Sequence, residues 1–294
     1  MPRAELDLCG ARERSHKGAV LKRGFFESGV REQCIVSEQR LKEKVAIVTG
    51  GASGLGQGMC REFAVQGARV VIMDINGEGG QSAVEEIKAL GGEAIVVETD
   101  VTDYDRVVAS VEQVLSTFET IDILVNCAGW NNLKPVNEYT QDDWQQIRSL
   151  NLDGPWNVSK AVMPTLIEKE YGKIVNISSG SGILAQPNMA AYGSAKHGLV
   201  GMTKTMAVDL AKYHINVNCI CPATVATPLV MEVTTEAYRD FQIERIPLGR
   251  LGRVEDIAKA ALFLVSPDAD WITGAILPVD GGLTCCAVAH PIVD

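Results

Sequence analysis

The sequence predicts an α/β fold, a doubly wound parallel seven-stranded sheet with helices on both faces. Three observations carry this. From Lys44 onward, short β-branched runs bounded by Gly or Asp alternate with longer helical segments, as in strands joined by helical crossovers. The first run leads straight into a glycine-rich turn, Thr49-Gly50-Gly51-Ala52-Ser53-Gly54-Leu55-Gly56. A carboxylate, Asp74, closes the second run. Together they describe a Rossmann-type domain.

In chain order the expected strands are Val45–Val48, Arg69–Met73, Ala94–Glu98, Ile123–Val125, Lys173–Ile177, Asn216–Ile220 and Ala275–Pro278. The expected helices run approximately Leu55–Gln66, Gly80–Leu90, Tyr104–Phe118, Gln141–Lys169, Ala191–Tyr213 and Val254–Leu264. Strands separated by helices imply right-handed crossovers. One domain is expected over residues 41–294. Residues 1–40 mix Gly, Arg and Glu without a steady period and read as an N-terminal extension outside that fold. No Met lies between Met1 and Met59, which fits a native start at a later, non-Met codon such as that of Val36.

The formal net charge is -10, but residues 1–44 hold 10 Lys/Arg against 7 Asp/Glu, leaving -13 on residues 45–294. So acidic a body repels nucleic acid and anionic lipid, and neither is an expected partner. No apolar run approaches the ~20 residues of a membrane span. The N-terminal segment lacks the apolar core of a secretory signal, and Glu5, Asp7, Glu13 and Glu27 argue against an organellar transit peptide. The 8 cysteines form no Cys-x-x-Cys pair, and the 4 His show no ligand-like clustering. No metal site is expected, and free thiols in a reducing cytoplasm are.

The turn after the first strand has the chemistry of a phosphate cradle. Its glycines let the backbone approach a pyrophosphate, and the helix start supplies N–H groups and a positive dipole end. Gly50, Ser53, Gly54, Leu55 and Gly56 are the candidate contacts. Asp74 lies 18 residues after Gly56, where a carboxylate accepts from both ribose hydroxyls and repels a 2′-phosphate. With no Lys or Arg beside Ser53, NAD is the expected cofactor and NADP is disfavoured. Asp100 and Val101 end the third strand and suit an adenine edge. Asn126-Cys127-Ala128-Gly129 ends the fourth, where the small Ala128 and Gly129 let the chain pass beside the ribose.

Tyr192 and Lys196 are four residues apart, one turn apart on the same helix face. A phenol titrates near pH ~10. A fixed ammonium alongside would lower that value and make a usable acid/base. Ser179 lies one loop upstream.

These residues resemble the short-chain dehydrogenase/reductase family of the standard single-domain type, over residues 41 to about 284. The matching motifs are Thr49-Gly50-x-x-x-Gly54-x-Gly56, Asn126-x-Ala128-Gly129, Asn151, Ser179 and Tyr192-x-x-x-Lys196, with Ser179 placed 13 residues before Tyr192. The resemblance implies a catalytic tetrad of Asn151, Ser179, Tyr192 and Lys196. Ser179 would hold a substrate oxygen while Tyr192 exchanges its proton and hydride moves to or from nicotinamide. Lys196 would also bond the nicotinamide ribose, and Asn151, mid-way along a long helix, would hold a relay water. After the sixth strand, Pro222, Val225 and Thr227 match the segment that meets the carboxamide. Ala223 stands where the family has Gly; a positive φ there would strain it by roughly 1 kcal/mol.

Trp130, Asn131, Gln186 and Asn188, with Ser179 and Tyr192, make a mixed apolar and polar substrate pocket. That lining suits a small hydroxylated or cyclic secondary alcohol, with residues 227–250 as a mobile amphipathic lid. By resemblance the chain forms a homotetramer or homodimer through helices 141–169 and 191–213, with the tail 283–294 reaching a neighbour. An NADPH-dependent 3-oxoacyl-(acyl-carrier-protein)-type reductase is the alternative. Asp74, the missing base near Ser53 and the acidic body disfavour it. A non-catalytic NAD(H)-binding regulator would have no need of the tetrad.

Overall fold

The computed structural model describes residues 39–286. The expected extension, apart from Gln39 and Arg40, the expected start near Val36 and the end of the tail lie outside them. Seven strands form one parallel sheet in the order β3-β2-β1-β4-β5-β6-β7. They are β1 (Val45–Thr49), β2 (Arg69–Asp74), β3 (Glu93–Glu98), β4 (Ile123–Asn126), β5 (Gly172–Ile177), β6 (Ile215–Pro222) and β7 (Ile276–Val279). The order reverses between β1 and β4, which opens a crevice at the carboxyl edge, the usual ligand position in open α/β sheets.

The run Val45-Ala46-Ile47-Val48 is fully buried because both faces of the sheet are covered. Ala46 and Val48 point to one core with Met59, Phe63, Ile257 and Ala261. That side is built by α1 (Gly54–Val65), α2 (Gly77–Ala89) and α9 (Val254–Val265). Val45 and Ile47 point to the other core, with Val107, Val111, Val158, Val162 and Leu210. It is covered by α3 (Tyr104–Phe118), α5 (Gly154–Glu168) and α6 (Ala190–Leu210). The alternation follows from the two-residue period of a strand.

Two expected helix boundaries need correction. The single helix over 141–169 is instead α4 (Gln141–Arg148), a π-helical turn at Ser149–Asp153, then α5. The π turn shifts the register and sets Asn151 inward, fully buried. The stretch taken as a lid holds two short helices, α7 (Pro228–Val233) and α8 (Glu236–Arg245). Thr227 and Thr235 cap them by accepting from the N–H of Val230 and Tyr238. In addition, α2 begins three residues earlier than expected, since Asn76 caps it by accepting from Gly79 N–H.

At the amino edge, the side chain of Asp122 is only 4% exposed. It accepts from Lys169 Nζ at 2.5 Å, Lys44 Nζ at 3.4 Å and Val45 N–H at 2.9 Å. It thus ties the starts of β1 and β4 to the end of α5. Asp122→Ala removes the acceptor of the buried Val45 N–H, leaves the half-exposed lysines to water, and should destabilise the fold by about 1–3 kcal/mol. Urea unfolding checks this; a loss below about 1 kcal/mol would show the cluster to be solvated.

Candidate active site

Helix α1 starts without a side-chain cap: Ser53 is extended and accepts no N–H, and the first turn carries no acid. Its leading N–H groups and dipole face the crevice, an arrangement suited to an anion. Gly50 and Gly54 have φ of +67° and +53°, conformations that glycine reaches without strain. Gly56 is required for space instead: a Cβ there would lie 2.0 Å from the Gly50 carbonyl oxygen. Thr49 Oγ accepts from Cys127 N–H at 2.9 Å and Ala128 N–H at 3.1 Å, so β1 clamps the end of β4. Asp74 is held by Ala52 N–H at 3.0 Å and Asn76 N–H at 2.9 Å, one on each oxygen. Each oxygen keeps a lone pair, which suits a hydroxyl pair. The cradle and the carboxylate therefore fit a dinucleotide.

A cleft of about 1030 Å³ runs from Asp74 to α7 and α8. Gly50, Ser53, Gly54, Leu55, Gly56, Asp74, Asp100 and Val101 line one end. Ala128, Gly129, Trp130, Asn131, Ser179, Gln186, Tyr192, Pro222, Val225 and Thr227 line the remainder. Four residues expected at the site lie outside this wall. Asn126 is buried and donates to Ser159 Oγ and Asn176 Oδ1. Asn151 and Lys196 are buried behind Gly129, where a Cβ would meet Asn151 Oδ1 at 2.6 Å and Lys196 Nζ at 3.5 Å. Asn188 takes a left-handed φ of 62°, and its carbonyl accepts from Lys134 N–H and the Tyr139 hydroxyl. Ala223 does not have a positive φ, so the loss of glycine there brings no strain.

Ser179 ends β5 and accepts from Ser181 N–H at 3.1 Å. Lys196 Nζ donates to the Ile177 carbonyl at 2.9 Å and lies 5.5 Å from the centroid of the Tyr192 ring. The expected lowering of the Tyr192 pKa by Lys196 is not met in the chain by itself. Burial pushes the phenol up to about 12, with a hydrogen bond from Ser179 pulling the other way. Burial also holds Lys196 down to about 8. Asn151 donates to the carbonyls of Trp130 and Ile147, both at 2.9 Å, while its buried Oδ1 has no partner.

Sequence reasoning overlooked several wall residues. Cys127 lines the cleft as a thiol that burial pushes up to about 12. Gln145 and Gln146 come from α4, Tyr238 from α8 and Leu283 from the turn after β7. Asp280 fastens that turn by accepting from Gly282 N–H at 2.9 Å and from Thr284 N–H and Oγ–H at 2.8 and 2.6 Å. Nothing in the sequence Asp280-Gly281-Gly282 says that Leu283 reaches the cleft. Among the described residues no group of three or more His, Cys, Asp or Glu could hold a metal ion, and no helix is long and apolar enough to cross a membrane.

A family model described as Enoyl-(Acyl carrier protein) reductase matches residues 50–284, and the chain belongs to the short-chain dehydrogenase/reductase family. It is an oxidoreductase that acts on CH–OH groups with a nicotinamide cofactor. The chain is 39% identical over 244 residues to the 3-oxoacyl-[acyl-carrier-protein] reductase FabG of Thermotoga maritima, covering 83% of this chain and 99% of that one. It is 37% identical over 247 residues to cyclopentanol dehydrogenase of Comamonas testosteroni, covering 83% and 98%. The structure of NAD+-bound xylitol dehydrogenase superposes with a TM-score of 0.79 at 32% identity, covering 82% of this chain and 99% of that one.

The buried lysine has a cost in stability. Its folded pKa lies below the unfolded value, so the penalty of burying the charge is full below about pH 8. It fades as pH rises toward the unfolded value, because the unfolded chain then also loses the proton. Lys196→Met should stabilise the fold at pH ~7, by up to about 3 kcal/mol less the lost hydrogen bond, and raise Tm accordingly. The gain should shrink at pH ~9.5. Calorimetry at both values checks this; a Tm that falls equally at both would refute it.

Proposed function

We propose that the chain is an NAD-dependent dehydrogenase that interconverts a secondary alcohol and a ketone, with Tyr192 as acid/base. The observation that carries this is the meeting of Ser179 and Tyr192 in the cleft wall with Lys196 directly behind. Bound nicotinamide supplies the hydride acceptor or donor. Ser179 and Tyr192 hold the substrate oxygen between them, and Tyr192 takes or returns its proton. Lys196, fixed on the Ile177 carbonyl, keeps a positive charge close to the ring. Asn151 Oδ1 is an acceptor for a water that passes protons toward Lys196. Gly50, Ser53, Gly54, Leu55 and Gly56 would hold the pyrophosphate, and Asp74 the ribose hydroxyls. Asp100 and Val101 would meet the adenine, Ala128 and Gly129 the ribose edge, and Pro222, Val225 and Thr227 the carboxamide.

NAD is favoured over NADP because Asp74 faces the cleft and no Lys or Arg lines it among the described residues. The likeness to the FabG reductase supports the second reading, a 3-oxoacyl reductase using NADPH. The same carboxylate weighs against it, since it would face the 2′-phosphate. A homotetramer or homodimer in the cytoplasm completes the proposal. Exposed Trp156 on α5 and Val208 on α6 support the assembly; light scattering giving a monomer would refute it.

Asp74→Ala should raise the KM for NAD and narrow the NAD/NADP preference at least tenfold, by about the strength of a charged hydrogen bond. An unmutated protein that prefers NADPH would overturn the assignment. Tyr192→Phe should cut kcat by about 10²–10⁴-fold while NADH fluorescence still reports binding. Because oxidation needs the phenolate and reduction the phenol, kcat/KM for alcohol oxidation should rise with pH and that for ketone reduction fall. A pH-independent oxidation rate would exclude Tyr192 as the base.

A further inference from the structure

No Lys, Arg or His lines the cleft among the described residues, and of its carboxylates Asp74 and Asp100 lie at the cofactor end, which leaves Asp142 of α4. The cations beside the cleft are already engaged. Lys134 Nζ lies 2.7 Å from Asp143, and Arg148 lies 3.1 Å from Asp153. Arg239 donates to the carbonyls of Thr234 and Met231, and Lys196 is bonded behind the wall to Ile177. An anionic substrate would lose its hydration here without gaining a counter-charge.

Asn131 adds a second constraint. Its side chain lines the cleft, and its Oδ1 is buried with no hydrogen-bond partner. The loop around it is locked on both sides. The Trp130 carbonyl accepts from Asn151 at 2.9 Å, Asn132 donates to Asp143 at 3.0 Å, and the Asn132 carbonyl accepts from Tyr139 at 2.5 Å. The amide thus has its oxygen turned inward without accessible surface, while its NH₂ is unbonded and open to a cleft ligand. A neutral hydroxyl accepts from that NH₂.

Resting on the dehydrogenase reading above, we propose that the substrate is a neutral secondary alcohol with at least one further hydroxyl, a polyol or cyclic diol, and that the Asn131 amide binds that second hydroxyl. Alcohols bearing a carboxylate or phosphate, and thioesters on an acidic carrier, are excluded by charge. Asn131 is then a specificity-determining residue, while proton transfer stays with Tyr192.

The test compares NAD reduction by the full chain with cyclohexanol, cyclohexanediol, hydroxycyclohexanecarboxylate and the methyl ester of that acid. The diol should exceed the carboxylate in kcat/KM by about 100-fold, and the ester should exceed its acid. Asn131→Ala should cut the ratio of diol to cyclohexanol about tenfold, a ratio that a general loss of structure would not move. Gln186→Arg should raise the carboxylate relative to the diol. A carboxylate used as well as the diol, or a ratio unmoved in Asn131→Ala, overturns the proposal. If nothing is turned over although NADH binds, the dehydrogenase reading fails separately. Thermal shifts with NADH and the same compounds then decide this inference: selective stabilisation by the diol supports it, and stabilisation by the carboxylate or by none ends it.

Discussion

The cleft depends on how closely the first βα turn can approach the end of β4. Thr49 draws the Cys127 and Ala128 amides onto one oxygen, and Gly50 and Gly56 clear the space this requires. A side chain on Gly50 would sit 2.9 Å from Ala128 Cα. Ala128 and Gly129 lead from this clamp into the loop of Trp130 and Asn131, and Gly129 in turn lets Asn151 and Lys196 come up behind it. One backbone contact therefore sets the position of both the cofactor end and the substrate loop.

The catalytic pair shows a second constraint, in which two ionisable groups are each shifted against ionisation by the same burial. The phenol rises to about 12 and the ammonium falls to about 8. Neither shift helps a protein that only has to fold. Both disfavour ionisation, and shifts of this kind gather where buried groups do acid–base work.

Much of this was legible beforehand, for reasons that lie in particular residues. The Val45–Val48 run shows a strand buried on both faces, and Gly50, Gly54 and Gly56 can stand only where backbone approaches backbone. Tyr192 and Lys196 keep a spacing that the helix converts into proximity, and Ser179 follows the strand beside them. The π turn at Asn151 was not legible, because one extra residue in a helical turn leaves the apolar period almost unchanged. Helices α7 and α8 were not legible within the stretch read as a lid, because Leu229, Met231 and Val233 are exposed and form no buried stripe. The direction of the Tyr192 shift was misread because a sequence shows which charge is near but not how much water is excluded.

Leu283 extends the cleft wall to the last turn described in the chain, next to the Gly180 turn, where a Cβ on Gly180 would meet Leu283 Cδ2 at 3.8 Å. The Asp280 hydrogen bonds that secure it come from residues with no part in the sheet's central strands. The cradle at residues 50–56 and the wall at Leu283 therefore come from distant stretches of the chain and meet only in the finished fold. No short excised segment would carry the whole site with it.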